Sequence, residues 1–323
     1  MAEENVLLGF INRIKDIAKQ SNDTNYRDIK LTADLKNNEK YLFKPLEDIP
    51  AKKGKEEENR NGFLVYSQET IKNTKNTELK NLFKNVNIGN EDNIFRYYYY
   101  EKLNSISNLH ATIIMMNPAF ADSKEPDDTI KNIKAYLINN RFSSFDIVNL
   151  YPVRMPKSAK LKLYLDKTKD ETKAYQAFVK SYLKPDCEKD TPENSKQGDK
   201  DENIIIAAWG SEYHKKAEKM FKDENIKFYC YGLTKDASPK HFGKQSFCNF
   251  NKFLHPIPYI KVSNWLEKLK PVDFDKKMLD KTKNDCALLW TTKGIEEENI
   301  INLTANLEDL KDFLDSYYTD LDA

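Results

Sequence analysis

Four apolar runs in the middle of this 323-residue chain each break on groups able to meet a ligand. "ATIIMMNPAFAD" (111–122) stops at Asn117-Pro118, with Asp122 close behind. "FDIVNLYPVR" (145–154) stops at Asn149, with Arg154 in the following loop. "NIIIAAWGS" (203–211) ends on Trp209-Gly210-Ser211. "IKFYCY" (226–231) runs into "GLTKDASPKHFGK" (232–244), which holds Lys235, Ser238, Lys240, His241 and Lys244. A carboxamide carries a donor and an acceptor together, so Asn117 and Asn149 suit recognition of a hydrogen-bonding edge. A single asparagine after a strand reads as a turn former. Several polar strand ends together read as the lining of a ligand cleft, provided that the strands run parallel.

Other chemistry finds little support. No HxxxH or mixed His/Cys spacing suggests a metal, and no cofactor is expected. Cys187, Cys230, Cys248 and Cys286 are far apart, form no CxxC pair and read as isolated reduced thiols. His110 precedes a core strand, His214 lies in a helical, surface-type segment, and His255 sits in "FLHPIPY", which reads as irregular packing.

The elements that must position these groups follow from periodicity. The four runs are short, nearly continuous in apolar residues and rich in β-branched or aromatic side chains, as strands covered on both faces are. Helical segments alternate with them at 128–141, 170–183 and 211–224, which predicts a parallel sheet with helices on both faces. "EENVLLGFINRIKDIAKQ" (3–20) has apolar residues at helical spacing. "AKKGKEEENRNG" (51–62) reads as an exposed loop. "NIFRYYYYEKL" (93–103) reads as a strand with tyrosine on both faces, or else as a stacking platform for bases. The charged stretch 184–203 reads as a surface insertion, "CALLWTT" (286–292) as another strand, and 297–318 as an acidic amphipathic helix. The expected organisation is a mixed N-terminal extension (1–92), an α/β core (93–272) and an acidic C-terminal extension (273–323).

"MMNPAFAD", "FDIVNLYPVR", "AAWGSEYHKK" and "GLTKDASPKH" occur in the order seen in a bacterial family of unknown function with LNP, VVNL, AWG and GLTK-P-x-H segments. They also resemble the uracil-DNA glycosylase superfamily, across about 111–244. There an Asp-Pro or Asn-Pro follows the first core strand, an Asn ends an LLLN strand, and a WGSxxxKK segment precedes a His-bearing loop. The resemblance implies a three-layer sandwich around a mainly parallel four-stranded sheet.

It also implies roles. Asn117 matches the residue that positions the attacking water; an amide lacks the basicity to deprotonate it, and an oxocarbenium-like sugar needs little activation. Asp122 is a second water-positioning candidate. Asn149 matches the amide that reads a flipped pyrimidine. His241 matches the donor to the departing base, where negative charge builds, although Phe242 stands where that superfamily has proline. Pro118, Ala119 and Phe120 fall in the base pocket. Ala119 replaces the tyrosine that excludes C5 substituents, which implies a 5-modified pyrimidine, hydroxymethylated or glucosylated as in modified phage DNA. Arg154, Ser211, Lys235, Ser238, Lys240 and Lys244 suit phosphate contacts, or form a solvated lysine-rich loop.

The expected function is therefore a metal-free, monofunctional DNA glycosylase in antiviral defence or repair. An N-glycosidase of free nucleotides and a non-catalytic module that binds modified bases are the alternatives. Charge is compatible with a DNA partner. Residues 273–323 hold 6 Lys/Arg against 13 Asp/Glu, which leaves 46 against 38 in the rest. No apolar run reaches the roughly 18 residues of a membrane span, and the acidic start "MAEENVLLGF" lacks signal-peptide features, so a cytoplasmic location is expected.

Overall fold

The computed structural model of the chain describes residues 2–243 except 21–24, 52–56, 85, 89, 104–108, 119, 156–157, 168, 185–202, 223, 225, 227, 233 and 235–237. Beyond residue 243 it describes 257–259, 269–271 and 290–292. The chain divides into two units, one of residues 1–260 with 285–287 and one of 261–284 with 288–323. In the second unit the described residues are β9 (Leu269–Pro271) and β10 (Trp290–Thr292), an antiparallel pair. β10 coincides with the end of the strand expected at 286–292. The acidic helix expected at 297–318 and nearly all of the expected insertion at 184–203 lie outside the described residues.

The first unit is built on one mixed sheet. The four expected strands are present as β4 (His110–Met115), β5 (Ser144–Asn149), β6 (Asn203–Ala207) and β7 (Phe228–Cys230). They pair in parallel in the order β5-β4-β6-β7. The expectation of a mainly parallel four-stranded sheet needs correction, because antiparallel strands extend this block on both sides. β1 (Tyr41–Pro45), β2 (Asn61–Ser67) and β3 (Arg96–Lys102) add beyond β5, and the short β8 (Ile257–Tyr259) adds beyond β7. Residues 1–92, expected as an extension, thus place β1 and β2 in the same sheet.

The end of the expected 51–62 loop is also strand. Arg60 is fully buried, with Nε 3.5 Å from Glu101 and Nη2 donating to the Tyr99 hydroxyl at 2.9 Å. At Gly62 any side chain would collide with β3, because a Cβ there would lie 2.0 Å from the Tyr100 carbonyl oxygen. Glycine is needed at that close approach.

Helices cover both faces. α4 (Asp128–Asn139) packs Ile130, Ile133, Tyr136 and Leu137 against one face, together with Ile113, Phe145, Ile147 and Ile206. The other face takes α1 (Ala2–Gln20), α5 (Ser158–Lys167), α6 (Lys169–Leu183) and α7 (His214–Phe221). α1 follows its apolar spacing, burying Leu7, Phe10, Ile11 and Ile14. Asp127 caps α4 by accepting the Ile130 N–H at 2.9 Å, as an acidic N-cap should.

The aromatic strand β3 carries a bulge. Val65 pairs with Tyr98 but Tyr66 pairs with Arg96, so Tyr97 is an extra residue. Tyr97 and Tyr98 consequently share the α1/α6 face. Arg96 turns to the α4 face, where its guanidinium lies 5.7 Å from the Tyr99 ring centre. Bulges re-aim side chains in this way. The tyrosines are core residues on both faces, Tyr98 and Tyr100 on one and Tyr99 on the other.

Candidate functional site

The parallel block reverses direction between β4 and β6. From β4 the chain crosses by α4 on one face to β5, whereas β6 leads by α7 on the other face to β7. The connections therefore diverge at the carboxyl ends of β4 and β6, the switch point beside which open α/β sheets form a ligand crevice. Asn117 follows β4, and Trp209-Gly210-Ser211 follows β6.

Asn117 is buried and anchored by its amide nitrogen, which lies 2.9 Å from the Pro118 carbonyl oxygen, 3.2 Å from that of Val153 and 2.8 Å from that of Met155. This fixes which way the amide faces. Its donor side holds the loop after β5, and its carbonyl oxygen is left as the group able to accept from a ligand or water. Met155 N–H donates back to Pro118 O at 3.2 Å, so the loops after β4 and β5 are stitched together.

Asn149 is the last residue of β5, opposite Met115 of β4. By alternation with Phe145 and Ile147 its side chain belongs to the α4 face. It is 1% exposed, and its Oδ1 meets no hydrogen-bond partner. Such an orphaned acceptor costs about 1–3 kcal/mol. Beside it β3 and β5 part. The Tyr175 hydroxyl accepts from Asn149 N–H at 3.2 Å and donates to Tyr97 O at 3.0 Å, spanning the gap where a ladder bond would lie.

His241 reaches the same end of the sheet from the loop after β7. Gly210 N–H donates to Pro239 O at 3.0 Å, and a Cβ on Gly210 would lie 3.7 Å from that of His241. Gly210 has φ +74°, a conformation that favours glycine. His241 Nδ1 accepts the Gly243 N–H at 3.0 Å, which leaves the proton of the neutral ring on Nε2. Burial pushes its pKa down, against an opposing pull from Asp127. The ring is thus held neutral and as a donor. Phe242, the departure from the superfamily's proline, is a buried anchor 4.3 Å from Tyr231 and 5.5 Å from Tyr136 between ring centres. The Tyr231 hydroxyl donates to His241 O at 2.6 Å and fixes the backbone.

Arg96 joins these residues without having been singled out from sequence. Its guanidinium is on the α4 face of the strand next to β5 and is 2% exposed. Nη1 donates to Ala121 O at 2.6 Å, tying it to the loop that follows Asn117. Nε meets no partner, and no carboxylate pairs with Arg96 among the described residues. Lone arginine at the head of an aromatic strand was the one available signal; its burial and face depend on the bulge.

Several expected site residues are placed otherwise. Arg154 is fully buried rather than facing phosphate. Nη1 donates to Glu91 O at 2.8 Å and Asn93 O at 3.3 Å, and Nη2 donates to Ile88 O. Ser238 is also fully buried, its N–H bonded to Thr234 Oγ1 at 3.1 Å. Both support loops through these bonds, and neither presents surface to a phosphate in this structure. Asp122 is buried, and its carboxylate accepts three N–H bonds, from Asn90 at 2.8 Å, Lys124 at 3.0 Å and Glu125 at 2.9 Å. It organises the loop after Asn117.

Pro118 is buried and Phe120 is 44% exposed. Ser211 is exposed, with its hydroxyl 3.3 Å from that of Thr234, and Lys240 is half-buried. Ala119, Lys235 and Lys244 lie outside the described residues.

His214, expected at the surface, is half-buried between Trp209 Nε1 at 3.4 Å and Glu218 at 3.2 Å. Among the described residues no group of His, Cys, Asp or Glu could hold a metal ion. No described helix is long and apolar enough to cross a membrane.

Residues 96–241 match the sequence profile of a family described as "Protein of unknown function (DUF1643)". The matched stretch runs from Arg96 to His241 and so spans β3 to β7. No curated protein matches the chain. No solved structure matches it.

Proposed function

We propose that the crevice binds a pyrimidine base extruded from DNA and that the protein is an N-glycosylase for a 5-modified pyrimidine, hydroxymethylated or glucosylated. The observation that carries this reading is the buried, unpartnered Oδ1 of Asn149 at the carboxyl end of a parallel strand. An N–H of a base edge satisfies it, and a pocket that supplies only protein around it does not. Further support comes from Asn117, whose fixed amide presents an acceptor to a water, and from His241, a neutral donor for the leaving base. Phe120 offers a ring for stacking. Base extrusion costs a few kcal/mol, offset by these contacts. The reading also accords with the superfamily resemblance and with Ala119 standing in the sequence where that superfamily has tyrosine.

The test is incubation with duplexes containing uracil, 5-hydroxymethyluracil, 5-hydroxymethylcytosine or its glucosylated form, scored for abasic sites. Product from a modified base and little from uracil is the expected result. No abasic product from any duplex refutes catalysis.

A second reading, a module that binds modified bases without cleaving them, is favoured by the Asp122 carboxylate. Its bonds to three backbone N–H groups commit this carboxylate to the loop rather than to a water. Tight binding of a modified duplex that stays intact would select it.

A further inference from the structure

We infer that Arg96 is the anion-holding residue of the crevice, taking the negative charge that a pyrimidine carries as it leaves its sugar. Three observations converge on it. The β3 bulge turns this one side chain out of the tyrosine row and onto the α4 face. The guanidinium is buried with Nε unpartnered and without a paired carboxylate among the described residues. Its strand neighbour across the split ladder ends at Asn149, whose orphaned Oδ1 belongs to the same face. Of the nearby carboxylates, Glu91 binds Lys44 at 3.1 Å and the Ser123 hydroxyl at 2.6 Å through Oε1, leaving Oε2 without a partner, and Asp122 accepts from backbone N–H groups.

A buried cation of this kind is stabilised by an anionic ligand with hydrogen-bond geometry. The unpartnered pair is complementary to one edge: an N–H for Asn149 Oδ1 and an anionic oxygen for Arg96. A pyrimidine-2,4-dione presents both. When C1′–N1 breaks, the bonding electron pair passes to N1 and spreads onto O2 and O4. Water adds its oxygen to C1′, and its proton goes to the base or solvent. Arg96 holds the charged oxygen while His241 donates to the ring.

The catalytic part of this inference rests on the glycosylase reading; the binding part does not. The full chain is titrated with barbiturate, a pyrimidine that is a planar anion at neutral pH, and with uracil, its neutral counterpart. Wild type should bind barbiturate at least about ten-fold more tightly. Arg96→Met should abolish that preference and Arg96→Lys keep part of it, as a point charge lacking the fork. Equal binding of the two rings, no binding of either, or an undiminished preference in Arg96→Met overturns the assignment. If Arg96→Met does not fold, the wild-type comparison decides alone. Cleavage of DNA without the barbiturate preference removes Arg96 but leaves the glycosylase; the preference without cleavage keeps Arg96 as an anion site and removes the glycosylase.

Discussion

The two ends of the parallel block handle buried polarity in opposite ways. At the amino end, Asp146 of β5 is fully buried and its Oδ2 accepts from Tyr98 at 3.0 Å and Tyr182 at 2.5 Å. His110 Nε2 lies 2.9 Å from the same oxygen and Lys15 of α1 lies 3.9 Å away. His110 Nδ1 in turn lies 2.8 Å from the Ser144 hydroxyl. Lys15 supplies a counter-charge and His110 a polar contact, although Oδ1 itself meets no partner. Burial alone would raise the carboxyl pKa, yet His110 leads the groups that hold it down at about 2. At the carboxyl end, Arg96 has no partner for Nε, and Asn149 has none for Oδ1. The same sheet therefore closes one polar cluster for stability and leaves the other open. A closed cluster pins α1 to the strands; an open one is complete only with a ligand.

The largest effect should come from breaking the open end. Asn149→Ala should lower the rate of abasic-site formation by about 10²–10³-fold, while the melting temperature stays level or rises, because an orphaned acceptor is removed. A fall in melting temperature with cleavage unchanged would show that Asn149 is a structural residue. The mirror experiment is Asp146→Asn, expected to cost about 3 kcal/mol in denaturant unfolding and to leave cleavage per folded molecule unchanged. Loss of cleavage there would dissolve the division between the two ends.

pH sharpens the same contrast. The Asp146 pKa is depressed in the folded chain, so its contribution to stability is full above the unfolded carboxylate value of about 4 and is lost as pH falls towards 2. Chemical denaturation from pH 5 to 2 should follow that loss in wild type and show much less of it in Asp146→Asn. His241 titrates in the other sense. Its folded pKa lies below the ordinary 6.5, so the neutral donor persists as pH is lowered through 6.5. Cleavage should hold level across that value; a sharp fall centred at or above it would contradict a ring held neutral.

The smallest effect concerns the rim. Lys240→Ala should weaken DNA binding modestly and reduce the salt slope by about 1. Arg154→Ala should instead destabilise the fold and leave the slope unchanged, because Arg154 is wholly internal.

Sequence legibility followed local physics. β4, β5 and β6 were readable because strands covered on both faces must be continuous in apolar residues, and Asn149 could be placed as the polar end of such a run. β1 and β2 were not read, because "YLFKP" is short and "NGFLVYS" follows a charged stretch; pairing with β3 makes them strands. Arg154 and Ser238 looked like DNA contacts because composition records that a side chain is polar, not which way it faces. Arg96 looked like the first residue of an aromatic strand.

By itself the sequence determined α1, α4, α6 and α7, the aromatic strand and the four core strands, and that amides and a histidine follow those strands, since periodicity and turn chemistry act over a few residues. Only the tertiary structure decided the order β5-β4-β6-β7, the bulge that re-aims Arg96, and which buried polar groups find partners. Those depend on contacts between residues far apart in the chain, where partnering and desolvation set what each polar group can do.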